Sequence, residues 1–384
     1  MQRKLISILL SAAIASCILA GCGNTPEADT PVIVEPETIE SETPESSEEP
    51  TSSEVIEETE SSEESEEIIE EENHDNEYRS ELTNEWIDLS LKDQRPVAII
   101  VDNEKTALDH YGLTQADIIY ELMNSTANNE VTRLLCLVKD WGNITRFGSI
   151  RSARPAHFLI APEYDAIIIH DGGPFYIDTY LKLAWVDNLS GGFARIDNGK
   201  PREFTEYVTT GEIAERIESA KYSAEYTSYY EGPHWQFADE KEPFDLSEIY
   251  NSKDCTYIDL PFPHNQSELT YDEEENVYLY SEYGMAHIDP ENDDKQLSFT
   301  NVILQCAEVN VLDANGYMEF KLYKESGKGY YISGGKAIPV TWEKGTDTER
   351  TIFYDSNGDE ITLNTGKTYI GLVSTKRWSE LVLE

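Results

Sequence analysis

Between residues 95 and 220, short runs of consecutive apolar residues alternate with polar, turn-rich segments. Continuous apolar runs of this length are typical of strands that are covered on both faces of a sheet. The predicted strands are residues 97–101, 118–122, 131–138, 144–150 and 165–170. The predicted helices are residues 153–161, 174–185 and 212–220. Strands that alternate with helices predict a layered α/β domain over residues 86–235.

From residue 252 onward, apolar and polar residues alternate, which is typical of strands with one covered face. The predicted strands are residues 268–271, 276–280, 301–309, 318–323, 329–332, 337–342, 351–354, 360–363 and 368–373. The turn Asp355-Ser356-Asn357-Gly358 predicts a hairpin between two of these strands. We therefore expect a second, β-rich domain over residues 252–384, built as a barrel or a sandwich.

The N-terminus carries an export signal. Arg3 and Lys4 precede an apolar stretch over residues 5–18, which is too short to span a bilayer. The stretch ends in Leu19-Ala20-Gly21-Cys22, which resembles the lipobox of bacterial lipoproteins, whose cysteine is acylated. The sequence thus predicts a signal peptide over residues 1–22 and a protein held on the outer side of the bacterial cell membrane by lipid on Cys22.

Residues 23–80 form an acidic segment of mostly Glu, Ser, Thr and Pro. It holds 22 acidic residues, and Arg79 is its single basic residue. Such a segment cannot bury enough apolar surface to offset the entropy lost on ordering, so we expect a disordered linker. The whole chain of 384 residues has a formal net charge of −46. That charge excludes nucleic acid as a partner, because phosphate neutralisation needs a basic surface.

The cysteines give no sign of a cofactor. Cys136, Cys255 and Cys306 remain after removal of the signal peptide, and their spacing matches neither a zinc motif nor a CxxC redox motif. We expect three free thiols, two of them in apolar runs where cysteine behaves as a small buried hydrophobe. No cofactor is expected from the residues themselves.

The candidate site is a cluster of arginines in an acidic chain: Arg133, Arg146, Arg151 and Arg154. The guanidinium fork matches carboxylate and phosphate oxygens. His170, Gly172 and Gly173 end a predicted strand ahead of a predicted helix and could add backbone N–H donors to an anion site. The alternative is that the arginines pair with acidic residues to close strand ends. Those acidic residues are Asp102, Asp117 and Glu121.

Several segments resemble the YerB-type bacterial lipoproteins, which pair two domains without an assigned function. The segments include residues 95–99, 112–121, 148–155, 170–173, 287–289, 301–305 and 358–363. The resemblance implies a two-domain exported lipoprotein and brings no activity with it. The chain departs from the family pattern at residues 200–204, where a Pro-His-Asn is usual, and at Tyr280, where an arginine is usual.

The order of elements around Ser149-Ile150-Arg151 is also similar to the core of LytR-CpsA-Psr phosphotransferases. That similarity implies that Arg151 faces the phosphates of a polyprenyl pyrophosphate. It also maps Asp117 onto the acidic residue that opens a strand in those enzymes. If the arginines form an anion pocket, we expect Asp102 and Asp117 to orient them or to hold a divalent metal. The chain departs from that family at Ser152, where an aspartate is usual.

The leading hypothesis is a non-catalytic cell-envelope module that binds an anionic ligand, such as a cell-wall precursor, or a protein partner. Its candidate ligand-binding residues are Arg133, Arg151, Arg154, His170, Gly172 and Gly173. The alternative is a phosphotransferase that acts on polyprenyl-linked glycan, the one case in which a divalent metal is expected. The departures at residues 200–204 and at Ser152 favour the first hypothesis.

Overall fold

The computed structural model describes residues 73–384. The predicted signal peptide, Cys22 and the predicted linker up to residue 72 lie outside the described residues. Order begins earlier than the sequence indicates, because Glu77–Arg79 pairs with Trp86–Asp88 and Leu82 is buried. Cys136, Cys255 and Cys306 are free and buried, as predicted. Within residues 73–384, no helix is long and apolar enough to cross a bilayer.

Strands make up most of the regular structure of the described residues. In chain order they are β1 Glu77–Arg79, β2 Trp86–Asp88, β3 Val97–Asp102, β4 Ile118–Met123, β5 Thr132–Val138, β6 Arg146–Gly148, β7 Ile167–His170, β8 Asn188–Ser190, β9 Ala194–Arg195, β10 Glu206–Thr209, β11 Gln236–Phe237, β12 Lys253–Asp254, β13 Tyr257–Asp259 and β14 Glu268–Asp272. They continue with β15 Val277–Glu282, β16 Met285–Ala286, β17 Ile288–Asp289, β18 Lys295–Gln296, β19 Ser298–Phe299, β20 Asn301–Ala307, β21 Val309–Val311, β22 Met318–Phe320, β23 Glu325–Ser333, β24 Lys336–Lys344, β25 Ile352–Tyr354, β26 Thr362–Leu363, β27 Thr368–Ser374 and β28 Val382–Leu383.

Helices are short in the described part of the chain. The α-helices are α1 His157–Ile160 and α2 Glu212–Ala220. The 3-10 helices are Leu89–Leu91, Lys105–Ala107, Leu113–Gln115, Trp141–Asn143, Ala161–Tyr164, Phe175–Ile177, Tyr180–Lys182, Arg202–Phe204, Leu246–Glu248 and Trp378–Glu380. The α2 prediction is confirmed residue for residue, whereas the helix predicted over 174–185 is wrong, because only two 3-10 helices form there.

A mixed sheet runs through both predicted domains. Its strand order is β12-β24-β23-β20-β27-β4-β5-β3-β7-β8, with β25 paired to β24. The parallel pairing of β27 with β4 joins the two halves, from Thr368 beside Ile118 to Leu372 beside Leu122. Both strands, like β3, β5 and β20, are buried along their whole length, which explains their continuous apolar sequences.

A second, antiparallel sheet has the order β16-β15-β14-β13-β28, with β19 paired to β15. It packs on the large sheet through aromatic rings. Tyr280 of β15 and Phe299 of β19 both contact Tyr369 of β27, with ring centroids 5.7 and 5.4 Å apart. One apolar core therefore forms between strands that lie far apart in the sequence.

The fold class differs from the prediction in three respects. The first region is β-rich, and of its three predicted helices one forms in full, one only as the short α1, and one as two 3-10 helices. The second region forms no closed barrel within residues 73–384, because its strands divide between the two larger open sheets and several two-stranded sheets. The hairpin predicted around residues 355–358 is short: it consists of the bridge between Tyr354 and Glu360 and the hydrogen bonds on either side of it.

Candidate functional site

The candidate site lies where β3 ends. Antiparallel pairing places Asp102 of β3 directly beside Arg133 of β5. On the other side of β3, the backbone N–H of Asp102 donates to the carbonyl of Ser149 at 3.1 Å, and that of Arg151 donates to the carbonyl of Ile100 at 2.8 Å. Two arginines are thereby held on either side of one buried carboxylate.

Ion pairs connect these side chains. Arg151 Nε donates to Asp102 Oδ2 at 2.5 Å, and Arg151 Nη2 donates to Glu203 Oε2 at 2.5 Å. Arg133 Nη2 lies 4.0 Å from Asp102 Oδ2, and Arg133 Nη1 donates to the carbonyl of Ser152 at 2.5 Å. Asp102 therefore hydrogen-bonds to Arg151 and lies at the limit of an ion pair with Arg133.

Arg154 makes its own contacts, apart from Asp102. Its Nη1 donates to the carbonyl of Ala153 at 2.8 Å, and its guanidinium carbon lies 5.1 Å from the centre of the Tyr317 ring. Burial and the charge of Arg133 lower the pKa of Arg154 to about 9. Burial also lowers the pKa of Arg133 to about 10, against the attraction of Asp102. For Arg151, burial is outweighed by Asp102 and Glu203, and its pKa is raised.

Arg133 and Arg151 open onto a polar cavity of about 430 Å³. The cavity is lined by Asp102, Glu104, Thr106, Asn124, Ser125, Asn128, Val131, Arg133, Arg151, Pro201, Glu203 and Phe204. Two of these residues, Arg133 and Asn124, are each 6% exposed and carry an atom without a hydrogen-bond partner: Arg133 Nε, a donor, and Asn124 Oδ1, an acceptor. Buried polar atoms of this kind are rare in native proteins and point to a missing partner.

The outer wall of the cavity is the 3-10 helix Arg202–Phe204. It lies in the segment where the chain departs from the pattern of the YerB-type lipoproteins. The Glu203 side chain is 51% exposed, and the ring of Phe204 lies 5.5 Å below the guanidinium of Arg151. Glu203 thus places an exposed carboxylate against Arg151.

Other predicted site residues lie elsewhere. Arg146 pairs with Glu291 and stacks on the Tyr111 ring. Asp117 precedes β4 at the end opposite to Asp102, about 16 Å away along the strands at ~3.3 Å per residue. Its carboxylate accepts the backbone N–H of Lys139 at 2.7 Å, so Asp102 and Asp117 do not meet in one metal site.

The glycine-rich turn lies beside the arginine segment without lining the cavity. The carbonyl of Gly172 accepts the N–H of Ala153 at 2.9 Å, and Gly172 and Gly173 are both exposed. His170 is buried, with Nδ1 2.8 Å from the Gly172 carbonyl and Nε2 3.3 Å from Asn188 Oδ1. Because Phe175–Ile177 is a 3-10 helix of three residues, the turn has no helix dipole to attract an anion.

The alternative to a ligand site is that the arginines pair with Asp102, Asp117 and Glu121. Of these three acidic residues, only Asp102 pairs with an arginine of the cluster. Asp102 does pair with Arg151. Glu121 accepts hydroxyl donors instead, among them Tyr369 at 2.6 Å and Tyr280 at 3.0 Å. Sequence reasoning missed Asn124 and Glu203 as cavity residues. The one signal for Glu203 was its place in a segment that departs from the family pattern.

Comparison with known proteins locates the chain among proteins without an assigned activity. Residues 82–223 match the N-terminal domain, and residues 258–370 the C-terminal domain, of the family described as "Protein of unknown function (DUF3048)". The chain is 25% identical over 306 residues to "Putative lipoprotein YerB" of Bacillus subtilis (strain 168). The alignment covers 77% of this chain and 86% of the Bacillus subtilis protein. The crystal structure of YerB from Bacillus subtilis matches with a TM-score of 0.67 and 22% identity, over 80% of this chain and 99% of that one.

Proposed function

The chain belongs to the DUF3048 family, and we propose that it is a lipid-anchored, extracytoplasmic, non-catalytic module that binds an anionic ligand in the cavity at Arg133 and Arg151. The observation that carries this proposal is a polar cavity in which a buried arginine retains an unpartnered donor, Arg133 Nε. A second arginine in the same cavity holds an exposed, exchangeable carboxylate, that of Glu203.

The two partners of Arg151 differ in how easily they can be replaced. Asp102 is buried and also accepts the backbone N–H of Glu104 at 3.0 Å, so it stays in place. Glu203 is half exposed, and ion pairs of that kind contribute about 0–1 kcal/mol. A phosphate or carboxylate of the ligand can therefore displace Glu203 and accept from the outer nitrogens of Arg151.

The cavity also offers neutral polar groups. Thr106, Asn124 and Ser125 line it beside the two arginines. These side chains can exchange hydrogen bonds with the hydroxyl and amide groups of an anion, such as the phosphorylated or carboxylated sugars and peptides of cell-wall precursors. The lipid anchor agrees with the lipobox at Cys22 and with the name of the Bacillus subtilis relative.

The geometry favours binding over phosphoryl transfer. The phosphotransferase hypothesis takes Asp117 as an acidic residue of the site that Arg151 faces. Asp117 lies about 16 Å along the strands from Asp102, the buried partner of Arg151, at ~3.3 Å per residue. The cavity therefore supplies cations that hold an anion, without the acidic residue that the similarity to LytR-CpsA-Psr enzymes assigns to the site.

The test is titration of the full-length protein, purified in detergent, with inorganic pyrophosphate by calorimetry. We expect saturable binding that Arg151→Ala weakens at least roughly tenfold, because charge-assisted hydrogen bonds are lost. Arg146→Ala is the matched control, since Arg146 pairs with Glu291 outside the cavity. Equal affinities of the wild type and Arg151→Ala, or no saturable binding, would contradict the site. Phosphate release in the presence of Mg²⁺ would contradict the non-catalytic assignment.

A further inference from the structure

Three metal-ligating side chains meet in the interior, apart from the arginine cavity. One ligand atom from each of His110, Glu282 and His287 lies within 4.8 Å of the others. His110 is fully buried, and His287 is 4% exposed. Glu282 is 1% exposed. The set joins the two family domains, because His110 belongs to the first and the other two residues to the second.

Regular structure fixes the backbone around this triad, which is His110, Glu282 and His287. Glu282 is the last residue of β15. The N–H of His287 donates to the carbonyl of Tyr280 at 3.2 Å, and the carbonyl of His287 accepts the N–H of Leu297 at 2.9 Å. The residue after His110, Tyr111, is bridged to Gly148 of β6. Glu282 is therefore fixed by its strand, and His110 and His287 are each held by the strand pairing of the residues next to them.

The hydrogen bonding of the triad is incomplete. His287 Nδ1 and Glu282 Oε1 lie 3.0 Å apart and share a hydrogen bond, and Glu282 Oε2 accepts from Asn265 Nδ2 at 3.2 Å. Nε2 of His287 has no hydrogen-bond partner, and neither ring nitrogen of His110 has one of normal geometry. Buried polar atoms without a partner are rare in native proteins, so their meeting at one place indicates a missing partner.

We propose that His110, Glu282 and His287 bind a divalent transition metal ion, with Zn²⁺ as the best match. Two imidazoles and one carboxylate are a ligand set that zinc takes in proteins, and they leave a fourth position for water or another group. A magnesium or calcium site would instead be built from oxygen ligands. One ion would bind one ring nitrogen of each histidine.

The test uses the full-length protein without an affinity tag, stripped with a chelator and titrated with Zn²⁺ by calorimetry. We expect one tight site per chain. The variants His110→Gln and His287→Gln should each weaken that site at least tenfold. His157→Gln is the matched control, because His157 is also fully buried with an unpartnered Nε2 but belongs to no such cluster among residues 73–384. The glutamates of residues 23–80 add weak sites that are the same in every variant.

A second measurement keeps the proposal testable if a variant fails to fold. Co²⁺ added to the stripped wild-type protein should give the intense visible absorption of a low-coordinate site, saturating at one equivalent and abolished by Zn²⁺. A folded wild-type protein with only weak, multiple binding and no such absorption would overturn the proposal. Tight binding that persists unchanged in folded His110→Gln and His287→Gln would overturn it as well.

Discussion

The carboxylate of Asp289 accepts two hydrogen bonds from Thr114, one from the backbone N–H at 2.9 Å and one from the hydroxyl at 2.7 Å. Its other oxygen accepts the N–H of Gly112 at 2.8 Å. Gly112 has a φ of +80°, and a Cβ there would overlap the carbonyl oxygen of Arg146. Two motifs that stand far apart in the sequence, around residues 112–114 and 287–289, are thus the two sides of one contact.

We expect Asp289→Ala to destabilise the protein by about 3 kcal/mol, because the buried N–H groups of Gly112 and Thr114 lose their acceptor at ~1–3 kcal/mol each. Urea unfolding followed by circular dichroism measures this loss. Glu273→Ala, in an exposed turn, serves as the control and should leave the midpoint unchanged. Equal midpoints for Asp289→Ala and the control would show that the contact does not stabilise the fold.

We expect Arg151→Ala to cost only about 1–3 kcal/mol of stability, the range for a hydrogen bond to a charged group. After the change, the Asp102 carboxylate still has Arg133 at 4.0 Å and still accepts the backbone N–H of Glu104. Removal of the sole partner of a buried charge would cost ~3–5 kcal/mol instead. Thermal unfolding separates the two cases. A loss in the higher range would identify Arg151 as a structural residue.

We expect Glu203→Gln to tighten pyrophosphate binding roughly fivefold, equivalent to about 1 kcal/mol, because the internal carboxylate that occupies Arg151 is gone. Glu104→Gln removes the same charge from the same cavity without touching Arg151, and it reports the general electrostatic effect. An equal gain in pyrophosphate affinity in Glu203→Gln and Glu104→Gln would contradict the prediction.

The buried Glu121 makes part of the stability depend on pH. Burial and the neighbouring Glu282 raise its pKa to about 6, against the hydrogen bonds donated to it. A carboxyl group whose pKa is raised on folding stabilises the folded state below its unfolded pKa of ~4.5, and that stabilisation is lost as the pH rises through about 6.

Between pH 4.5 and pH 7, we therefore expect the free energy of unfolding of the wild type to fall by about 2 kcal/mol, since one pKa unit corresponds to ~1.4 kcal/mol. Glu121→Gln should not show this fall. Urea unfolding of both proteins across this pH range gives the difference. Parallel pH profiles for the two proteins would contradict the raised pKa of Glu121.

The lipid anchor is testable by cell fractionation. Cys22→Ser should release the protein from the membrane fraction or leave it unprocessed, because the acyl chains have no attachment site. Cys17→Ser, within the apolar stretch of the signal peptide, is the control and should remain anchored. A normally processed Cys22→Ser protein in the membrane fraction would rule out the anchor.

Local sequence accounts for many of the elements. The run 97–101 matches β3, and residues 212–220 match α2. The prediction fails over 174–185, where Phe175 is 68% exposed and the apolar residues do not share one buried helical face. Aromatic and β-branched residues in this segment also favour helices only weakly, so the start signal at Pro174 was not followed by a helix.

The candidate site also depends partly on local sequence and partly on tertiary contacts. Arg133, Arg151 and Arg154 are near each other in the sequence, but Arg133 and Arg151 approach Asp102 because β5 and the segment after β6 both hydrogen-bond to β3. Glu203 lies about 50 positions later and contacts Arg151 only through the tertiary structure. No local sequence pattern predicts this contact.

By itself, the sequence determined the buried strands, helix α2, the free thiols and the local arginine cluster, because each depends on neighbouring residues and on apolar spacing. Only the tertiary structure decided that β4 pairs with β27, so that one sheet runs through both family domains. It alone also brought His110 to Glu282 and His287, and Thr114 to Asp289. The physical reason is that these contacts depend on the path of the whole chain, since long-range pairing is set by packing and not by local propensity.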